Sequence, residues 1–394
     1  MARQPVKPDP AQIIPGTDRR AVLALGFGAC AIGFCELAAI GVLGLVGDDL
    51  RSSVAATGYI VTAYALGVCV GGPLLAVATA RMDRRSVLLA ALSAFVVANV
   101  ATAVAPSLAF LVVLRLVAGS IHGLYVGFAT SHAAALAAPH RRGGAVALVF
   151  GGIAVATVLG APLGRLFGEA LGWRAAFWVV AAVSAVALIV VAGVVPSVRE
   201  AVGAEVTGTL RAAMSPRVVA FLGLILLVMG GVFSLYTYVT EFLEHRTGTT
   251  GAGVSAVLLA FGLASAVGTI LGGRLADRSA VATMTIGAGI ATVALGALAV
   301  VGSSPVVVTV CLVVCGLSAF AYIPAFQLRL MSLAAPATDL AATLGASAAN
   351  AGIALGAVAG GAALARGTDA LVVVACALCA AGFIATLLVG RPRR

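Results

Sequence analysis

Charged residues are scarce in this sequence: Asp, Glu, Lys and Arg make up 10% of its 394 residues, whereas hydrophobic residues make up 62%. Soluble domains carry roughly 25% charged residues, and a soluble protein this apolar could not cover its surface with polar groups. The lack of charge therefore excludes a soluble protein and indicates an integral membrane protein.

Signatures of several other classes of protein are missing. No phosphate-binding loop of the form GxxxxGK[ST] is present, which excludes ATP-driven export by this chain alone. The seven cysteines lie inside apolar runs, and Cys376 and Cys379 have metal or redox spacing without a histidine or second pair nearby. We therefore predict no disulfide, no metal site, no catalytic residue and no cofactor.

Hydrophobic runs long enough to cross a bilayer, about 20 residues each, follow one another along the chain. A first run of 26 residues is longer than the roughly 7–15 residues of a signal-peptide core, so it should remain as the first span. We predict an all-α membrane protein with twelve spans, at about 21–46, 56–78, 86–105, 107–133, 144–167, 174–195, 218–240, 252–273, 283–302, 304–327, 341–364 and 370–390.

The net charge of +10 comes from short basic clusters between these runs. A nucleic-acid-binding protein would gather basic residues on one face with aromatic residues between them, so we predict no nucleic-acid partner. With the N-terminus inside, eighteen Lys and Arg residues lie on the cytoplasmic side and five lie outside. This excess predicts that both termini are cytoplasmic.

The two halves of the sequence repeat each other at an offset of 197 residues, which aligns 64–71 with 261–268. Two six-helix halves of common ancestry are typical of secondary transporters, which hold substrate near mid-membrane between them. The predicted organisation is a cytoplasmic leader (1–20), a six-helix bundle (21–196), a cytoplasmic central loop (197–217), a second six-helix bundle (218–390) and a cytoplasmic tail (391–394).

Ionisable residues inside the predicted spans are few. Glu36 lies ten residues, about 15 Å, from the outer end of span 1, and Arg115 lies nine residues, about 13 Å, from the same surface. A buried charge costs about 2.5–3.5 kcal/mol and normally faces a partner or a water-filled cavity. We hypothesise that Glu36 carries the proton and that Arg115 stabilises its ionised form. The alternative is a permanent Glu36–Arg115 tie, or a Glu36 bonded to backbone.

Other ionisable residues allow more than one interpretation. His122 lies two turns deeper than Arg115 on the same helix face, and it is equally a candidate proton relay or a packed neutral imidazole. His132 and Glu241 fall near the ends of their spans, which predicts solvation at the membrane interface. The residues aligned with Glu36 and Arg115 in the second half are Phe233 and Leu312, so we expect the coupling chemistry in the first half.

A drug-like substrate needs an apolar, aromatic cavity with few polar anchors. Aromatic residues in spans more often serve packing than ligand contact, and Trp173 and Trp178 are better explained as interfacial-belt and packing residues. The candidates for the substrate cavity are Phe34, Tyr64, Tyr125, Tyr236, Tyr238, Tyr322 and Asn350.

The loop after span 2, from Gly72 to Arg85, and its second-half echo, from Gly273 to Arg278, resemble a signature of the major facilitator superfamily. The resemblance is to its twelve-spanner drug:proton antiporter branch. The first copy departs from the family pattern, because Ala80 stands where an acid is usual and Asp83 where glycine is usual. The gating residues that the resemblance implies are Gly72, Arg81, Asp83, Arg84, Arg85, Gly273, Asp277 and Arg278.

Two further segments are similar to motifs of this branch. Residues 111–119 resemble the fourth-span motif built around a buried arginine, here Arg115. Span 5 resembles the motif that marks antiporters. Glycines repeated every fourth residue there allow close helix packing, and they also allow helices to slide. The residues that carry the span 5 resemblance are Gly152, Gly160, Pro162 and Gly164.

The resemblance, strongest to chloramphenicol-exporter and arabinose- or purine-efflux-like members, implies the major facilitator fold in a bacterial plasma membrane. It implies a monomer, not an enzyme, that exports drug-like amphipathic molecules, including chloramphenicol-like antibiotics, driven by the proton gradient. Efflux of a sugar, a purine or nucleoside, or an amino acid is the alternative. A channel would require a symmetric ring of filter groups, and an intramembrane enzyme would require paired reactive groups; the single Glu36 disfavours both.

Overall fold

The computed structural model describes residues 19–79, 82–137, 142–197, 215–300, 303–334 and 338–389. Within these ranges all regular structure is helical, and twelve helices are long and apolar enough to cross a membrane. The predicted all-α class and number of spans are confirmed. Several predicted features lie outside the described residues: the tail, Arg81, most of the leader and most of the central loop.

The spans, numbered in chain order, differ from the predicted limits by a few residues. They are Arg19–Gly41, Val54–Ala78, Arg84–Ala103, Leu108–Ala135, Ala145–Leu171, Trp173–Val194, Pro216–Tyr236, Ala252–Ala276, Arg278–Val300, Pro305–Leu333, Leu344–Leu364 and Thr368–Val389. The first predicted span was too long, because the helix is interrupted after Gly41 and a separate short helix, Leu43–Asp49, follows. A similar short helix, Val239–Thr247, follows span 7.

Local chemistry sets several span boundaries. Ser107 precedes span 4, and its hydroxyl accepts a hydrogen bond from the backbone N–H of Phe110 at 3.4 Å. Such capping replaces one of the bonds that the first helical turn cannot make internally. Gly172 separates spans 5 and 6 with a φ of 85°, a conformation that glycine adopts without steric cost.

Spans 8 and 9 are joined more tightly than the sequence predicted. The predicted loop between 273 and 283 is helical up to a single break at Ser279, where φ is −162° and ψ is 101°. Gly273 and Arg274 therefore lie on the last turn of the helix of span 8, and Arg278 begins span 9. The second copy of the gating signature is thus helical, and this corrects the predicted loop.

Helix packing follows the same scheme in each half. Span 1 packs on span 5, span 2 on span 4 and span 3 on span 6. In the second half span 7 packs on span 11, span 8 on span 10 and span 9 on span 12. The packing is therefore that expected of two related six-helix bundles.

An arginine ties three helices together at the same end of each half. Arg174, which begins span 6, binds the carboxylate of Asp49 and donates to the Ala105 carbonyl at 3.3 Å. Arg246, 197 residues after Asp49, binds Asp369 near the start of span 12 at 2.5 Å and the Leu298 carbonyl at 3.2 Å. The two ties are equivalent in position. In the first half the acid, Asp49, precedes the arginine in the chain, whereas in the second half Arg246 precedes the acid.

The end that holds Asp49 and the short helix Val239–Thr247 is called here the Glu244 end. The two halves contact each other near the middle of spans 5 and 8. A Cβ on Gly262 of span 8 would lie 2.7 Å from the Thr157 carbonyl oxygen of span 5. A Cβ on Gly262 would also lie 3.0 Å from the Val158 carbonyl oxygen. That oxygen has no partner from residue 162, because Pro162 lacks a backbone N–H. Only glycine allows such close contact between the backbones of the two bundles.

Candidate functional site

The candidate site is centred on Glu36, near the middle of the first-half bundle. Its carboxylate Oε2 lies 3.5 Å from His122 Nδ1 of span 4, and the Glu36 side chain is 18% exposed. His122 is buried. The structure therefore brings together the carboxylate and the imidazole that the sequence placed on separate spans.

Arg115 does not form the direct ion pair with Glu36 that was hypothesised from their equal depth. Its guanidinium donates from Nη1 to Cys35 Sγ at 2.9 Å and to the Cys35 carbonyl at 3.3 Å, and from Nε to the Ile60 carbonyl at 3.4 Å. Cys35 precedes Glu36, so its side chain lies about 100° away around the helix, and that neighbouring face is the one Arg115 reaches. The described hydrogen bonds of Arg115 therefore go to Cys35 and Ile60 and not to the Glu36 carboxylate.

Tyr64 of span 2 contacts both the imidazole and the guanidinium of this site. Its hydroxyl lies 3.0 Å from His122 Nδ1 and 3.3 Å from the Ile32 carbonyl of span 1. The Arg115 guanidinium carbon lies 4.0 Å from the centre of the Tyr64 ring, within the range of a cation–π interaction. Tyr64 is 1% exposed, so it contributes to the interior of the site.

Cys35 and Asn99 belong to the same polar cluster, and sequence reasoning missed both. The Cys35 thiol donates to Asn99 Oδ1 at 3.0 Å, and Asn99 Nδ2 donates to the Phe95 carbonyl at 2.8 Å. Asn99 lies within span 3, where amide side chains are rare. That position could have marked it in the sequence as a site residue. Together these groups surround a guanidinium that is 1% exposed.

Asp83 stays within its own bundle. Its carboxylate caps span 3 by accepting from the Ser86 N–H at 2.9 Å, and it accepts from the Ser197 hydroxyl at 2.6 Å. The hydrogen bond from Ser197 holds the pKa of Asp83 below its ordinary value. Asp83 therefore fixes the junction of spans 3 and 6, and in this structure it does not replace the family's usual gating acid.

The other predicted gating residues divide between packing and surface. Arg85 donates to the Ala192 carbonyl of span 6 at 2.7 Å, beside Arg84 at the start of span 3. Gly72 packs against Gly123 of span 4, whereas a Cβ on Gly273 would meet open space. The side chain of Asp277 lies outside what the structure describes.

The glycines of the antiporter-like motif lie against span 1. A Cβ on Gly152 would lie 1.9 Å from the Gly26 carbonyl oxygen, and one on Gly164 would lie 2.6 Å from the Ala38 carbonyl oxygen. Gly160 faces Leu37 in the same way. The contact that these glycines allow is within the first bundle, between spans 5 and 1.

Most of the tyrosines predicted for the substrate cavity are in the packed interior. Tyr125, Tyr238 and Tyr322 are at most 2% exposed, because each hydroxyl binds within the protein. The acceptors for Tyr125 and Tyr238 are the carbonyls of Leu25 and Ala357, and the neighbour of Tyr322 is the Thr386 hydroxyl. With Tyr64, these residues do not line open space in this structure, contrary to the prediction.

The remaining cavity candidates are placed differently. Phe34 is almost buried, on the turn that precedes Glu36. Tyr236 stacks on Phe261 with ring centres 4.2 Å apart. Asn350 is partly exposed and donates to the Ala346 carbonyl at 3.1 Å. Their contact with a substrate stays a prediction.

Predictions for residues near the span ends also need correction. His132 is fully buried and its Nε2 donates to the Pro196 carbonyl at 3.0 Å, so it is not solvated at an interface. Trp173 is buried and donates to Asp49 at 3.0 Å, whereas Trp178 is exposed. Glu241 pairs with the exposed His245 at 2.7 Å, as suits a residue near a span end.

Arg165 forms an ion pair between the two bundles that sequence reasoning did not find. It donates to Glu169 of the same helix and to Glu244 of the other half, both at 2.6 Å. Arg165 is 6% exposed, so the pair is partly shielded from water. No sequence pattern connects residues 79 positions apart on different bundles.

Comparison with known proteins identifies relatives along most of the chain. A family model described as Major Facilitator Superfamily matches residues 25–347. The inner membrane transport protein YdhP of Escherichia coli strain K12 is 33% identical over 323 residues, 82% of this chain and 83% of YdhP. The chloramphenicol resistance protein of Streptomyces lividans is 32% identical over 323 residues, 81% of this chain and 82% of that protein.

A solved structure shares the architecture. The crystal structure of a bacterial homologue of the human lysosomal transporter Spinster, in an inward-facing and occupied conformation, matches with a TM-score of 0.77. The match covers 94% of this chain and 96% of that one at 16% sequence identity. At such low identity the likeness shows the fold alone, and it confirms the predicted arrangement of twelve helices.

Proposed function

This chain belongs to the Major Facilitator Superfamily, and from that premise we propose that it exports small amphipathic, drug-like molecules in exchange for protons. The observation that carries the proposal is Glu36, a carboxylate inside span 1 and five residues from its end at Gly41, 3.5 Å from the His122 imidazole. An ionised acid inside a membrane span is costly, and such residues mark proton or substrate pathways. The relative from Streptomyces lividans, named for chloramphenicol resistance, supports the substrate class.

The proposed coupling uses one carboxylate for two ligands. A substrate that enters from the cytoplasm favours release of the Glu36 proton, and the field of Arg115 stabilises the carboxylate that remains. After the site opens to the other side, an external proton neutralises Glu36 and weakens the hold on the substrate. The gradient then drives export because protons are more abundant outside.

The orientation of this cycle comes from the basic loops. The positive-inside rule indicates that the Glu244 end is outside, and the Arg165–Glu244 ion pair between the bundles lies towards that end. The structure then corresponds to a state closed to the outside. Opening to the outside requires the Arg165–Glu244 pair and the Gly262–Thr157 contact to separate, as in a rocking-bundle mechanism.

Proton-driven uptake into inside-out membrane vesicles tests the proposal, with Glu36→Gln as the variant. We expect uptake to fall to the level of vesicles without the protein, because Gln cannot bind and release a proton. Glu241→Gln is the matched control, since it removes a carboxylate near a span end and should retain uptake. Full activity of Glu36→Gln would falsify the proposed role.

The substrate is tested with the same vesicles and a panel that begins with chloramphenicol and includes sugars, purines and amino acids. We expect competition among apolar aromatic compounds and little among sugars, since the relative from Streptomyces lividans is named for resistance to chloramphenicol. Uptake of sugars or purines alone would replace the drug-like substrate with a metabolite and leave the coupling by Glu36 intact.

A further inference from the structure

We propose that Tyr64 is a positioning residue of the proton path, whose hydroxyl selects the tautomer that His122 presents to Glu36. His122 thereby becomes a second group that holds the proton, and it passes the proton through its ring. This inference rests on the proposed proton coupling at Glu36. It also reassigns Tyr64, which the sequence suggested as a substrate contact.

The geometry gives the Tyr64 hydroxyl two neighbours and only one hydrogen. It lies 3.0 Å from His122 Nδ1 and 3.3 Å from the Ile32 carbonyl oxygen, which can only accept. When the hydroxyl donates to Ile32, it can accept from a protonated Nδ1. When it donates to Nδ1, that nitrogen carries no proton and the neutral ring holds its proton on Nε2.

Glu36 is placed to respond to this choice. Its Oε2 lies 3.5 Å from the same Nδ1 atom, and Ile32 precedes Glu36 by one helical turn. Nδ1 is therefore shared between a carboxylate and a hydroxyl that compete for it. The direction in which the single hydroxyl hydrogen points decides whether Nδ1 can take a proton from Glu36.

The proton transfer balances as follows. Neutral Glu36 faces a His122 that is protonated on Nε2, with the Tyr64 hydroxyl directed to Nδ1. The hydroxyl turns to the Ile32 carbonyl, the O–H bond of Glu36 breaks, and an N–H bond forms at Nδ1. The products are a carboxylate and an imidazolium, and a water molecule then takes the Nε2 proton, which leaves neutral His122 protonated on Nδ1. One proton has crossed the ring.

The charged and titratable groups around Tyr64 are consistent with this role. Span 1 contributes Glu36 and Cys35, and span 4 contributes Arg115 and His122. The Arg115 guanidinium lies 4.0 Å above the Tyr64 ring. Because like charges repel, an imidazolium beside this cation is a transient species, as a relay requires.

The second half shows that the ring alone satisfies packing at this position. The residue 197 positions after Tyr64 is Phe261, which is buried and stacks on Tyr236 with ring centres 4.2 Å apart. The fold therefore accommodates phenylalanine at the equivalent place. Tyr64→Phe should keep the ring beneath Arg115 and remove only the hydroxyl.

Tyr125→Phe is the matched control. Tyr125 is also fully buried in the first bundle, and its hydroxyl donates to a span 1 carbonyl, that of Leu25, at 3.2 Å. Among the described residues this hydroxyl bonds to the Leu25 carbonyl and not to His122 or Glu36, so Tyr125→Phe reports the cost of losing a buried tyrosine hydroxyl. The melting temperatures of purified Tyr64→Phe and Tyr125→Phe should differ from that of the parent by similar, small amounts.

The experiment measures proton-driven uptake in inside-out vesicles across the range from about pH 5 to 8, over which histidine titrates. We expect Tyr64→Phe to lower uptake roughly tenfold and to shift its pH profile by about one unit, and Tyr125→Phe to do neither. In a His122→Gln background, Tyr64→Phe should have no further effect, because both act through one group.

Nitrogen-15 NMR of the histidine side chains supplies a readout independent of transport. The chain has four histidines, and His122→Gln identifies the signal of interest. We expect Tyr64→Phe, but not Tyr125→Phe, to change the tautomer ratio of His122. An unchanged ratio and pH profile would overturn the role of Tyr64. Loss of uptake in Glu36→Gln with that result leaves the proposed function standing, whereas full uptake in Glu36→Gln refutes the proposed function itself.

Discussion

The two bundles hold different chemistry at equivalent positions. The first half combines a carboxylate, an imidazole, a phenol and a guanidinium around Glu36. The second half has apolar residues at the positions 197 later, and the two aromatic ones, Phe233 and Phe261, belong to a cluster of packed rings. The equivalent residues are Phe233 for Glu36, Phe261 for Tyr64, Leu312 for Arg115 and Ala319 for His122.

The second cluster is aromatic throughout. Tyr236 stacks on Phe261, and Phe233 packs edge-on against Tyr236 with ring centres 5.7 Å apart. Phe320 meets Phe261 at 6.3 Å in a perpendicular arrangement. One backbone scheme thus supports an electrostatic cluster in one half and a dispersion-dominated cluster in the other. A duplicated fold can thus hold a charged, polar cluster in one bundle and apolar packing in the other.

The largest effect should come from giving the second half a charge of the first. Leu312 is 2% exposed, and Leu312→Arg places a guanidinium in a bundle where the equivalents of Cys35 and Glu36 are Val232 and Phe233. We expect a loss of about 2.5–3.5 kcal/mol in the free energy of unfolding. Thermal unfolding of the purified protein measures it, with Leu312→Met as the control. A parent-like melting temperature would show that the halves are more alike than their residues indicate.

An intermediate effect should come from the ion pair that joins the halves. Glu244→Gln removes the bond from Arg165 across the bundles, whereas Glu169→Gln removes the bond of the same length within one bundle. We expect Glu244→Gln to shift the population towards the state open at the Glu244 end by roughly tenfold, about 1.4 kcal/mol. Distances between spin labels on the two bundles report the shift, and an equal response to both variants would contradict a role in closure.

The smallest effect concerns the two exposed ion pairs, Asp49–Arg174 in the first half and Arg246–Asp369 in the second. Asp49→Arg should cost about 0.2–1 kcal/mol, since the pair with Arg174 is solvent-exposed. The double variant Asp49→Arg with Arg174→Asp exchanges the acid and the arginine, as in the Arg246–Asp369 pair of the second half. It should recover part of that loss. No recovery in thermal unfolding would mean that the two ties are not interchangeable.

This tie also predicts a pH dependence. The hydrogen bond from Arg174, and to a lesser extent the one from Trp173, holds the pKa of Asp49 below its ordinary value. The resulting stabilisation is present above the ordinary pKa of aspartate, about 3.9, and is lost as the pH falls through the lower pKa of the folded state. Asp49→Asn should remove this acid-side slope from the melting temperature, and a slope that persists in the variant would assign it to another carboxylate.

Sequence reasoning succeeded for the spans and failed for several partners. The spans were predictable because the bilayer sets a minimum apolar length, and Glu36 and Arg115 were found because ionisable residues are rare there. Their direct pairing was wrong, since equal depth does not determine which side of a helix a residue occupies. His132 was misassigned for a similar reason, because closeness to a span end says nothing of the carbonyl of Pro196 beside it.

The sequence by itself determined the number of spans, the helical class, the repeat of 197 residues and the presence of a buried acid in one half alone. These follow from composition and periodicity, which act locally along the chain. Only the tertiary structure decided that Glu36 faces His122, that Tyr64 lies between them and Arg115, and that Arg165 reaches Glu244. Those contacts depend on how helices cross and rotate, and a difference of one residue, about 100° around a helix, changes the partner.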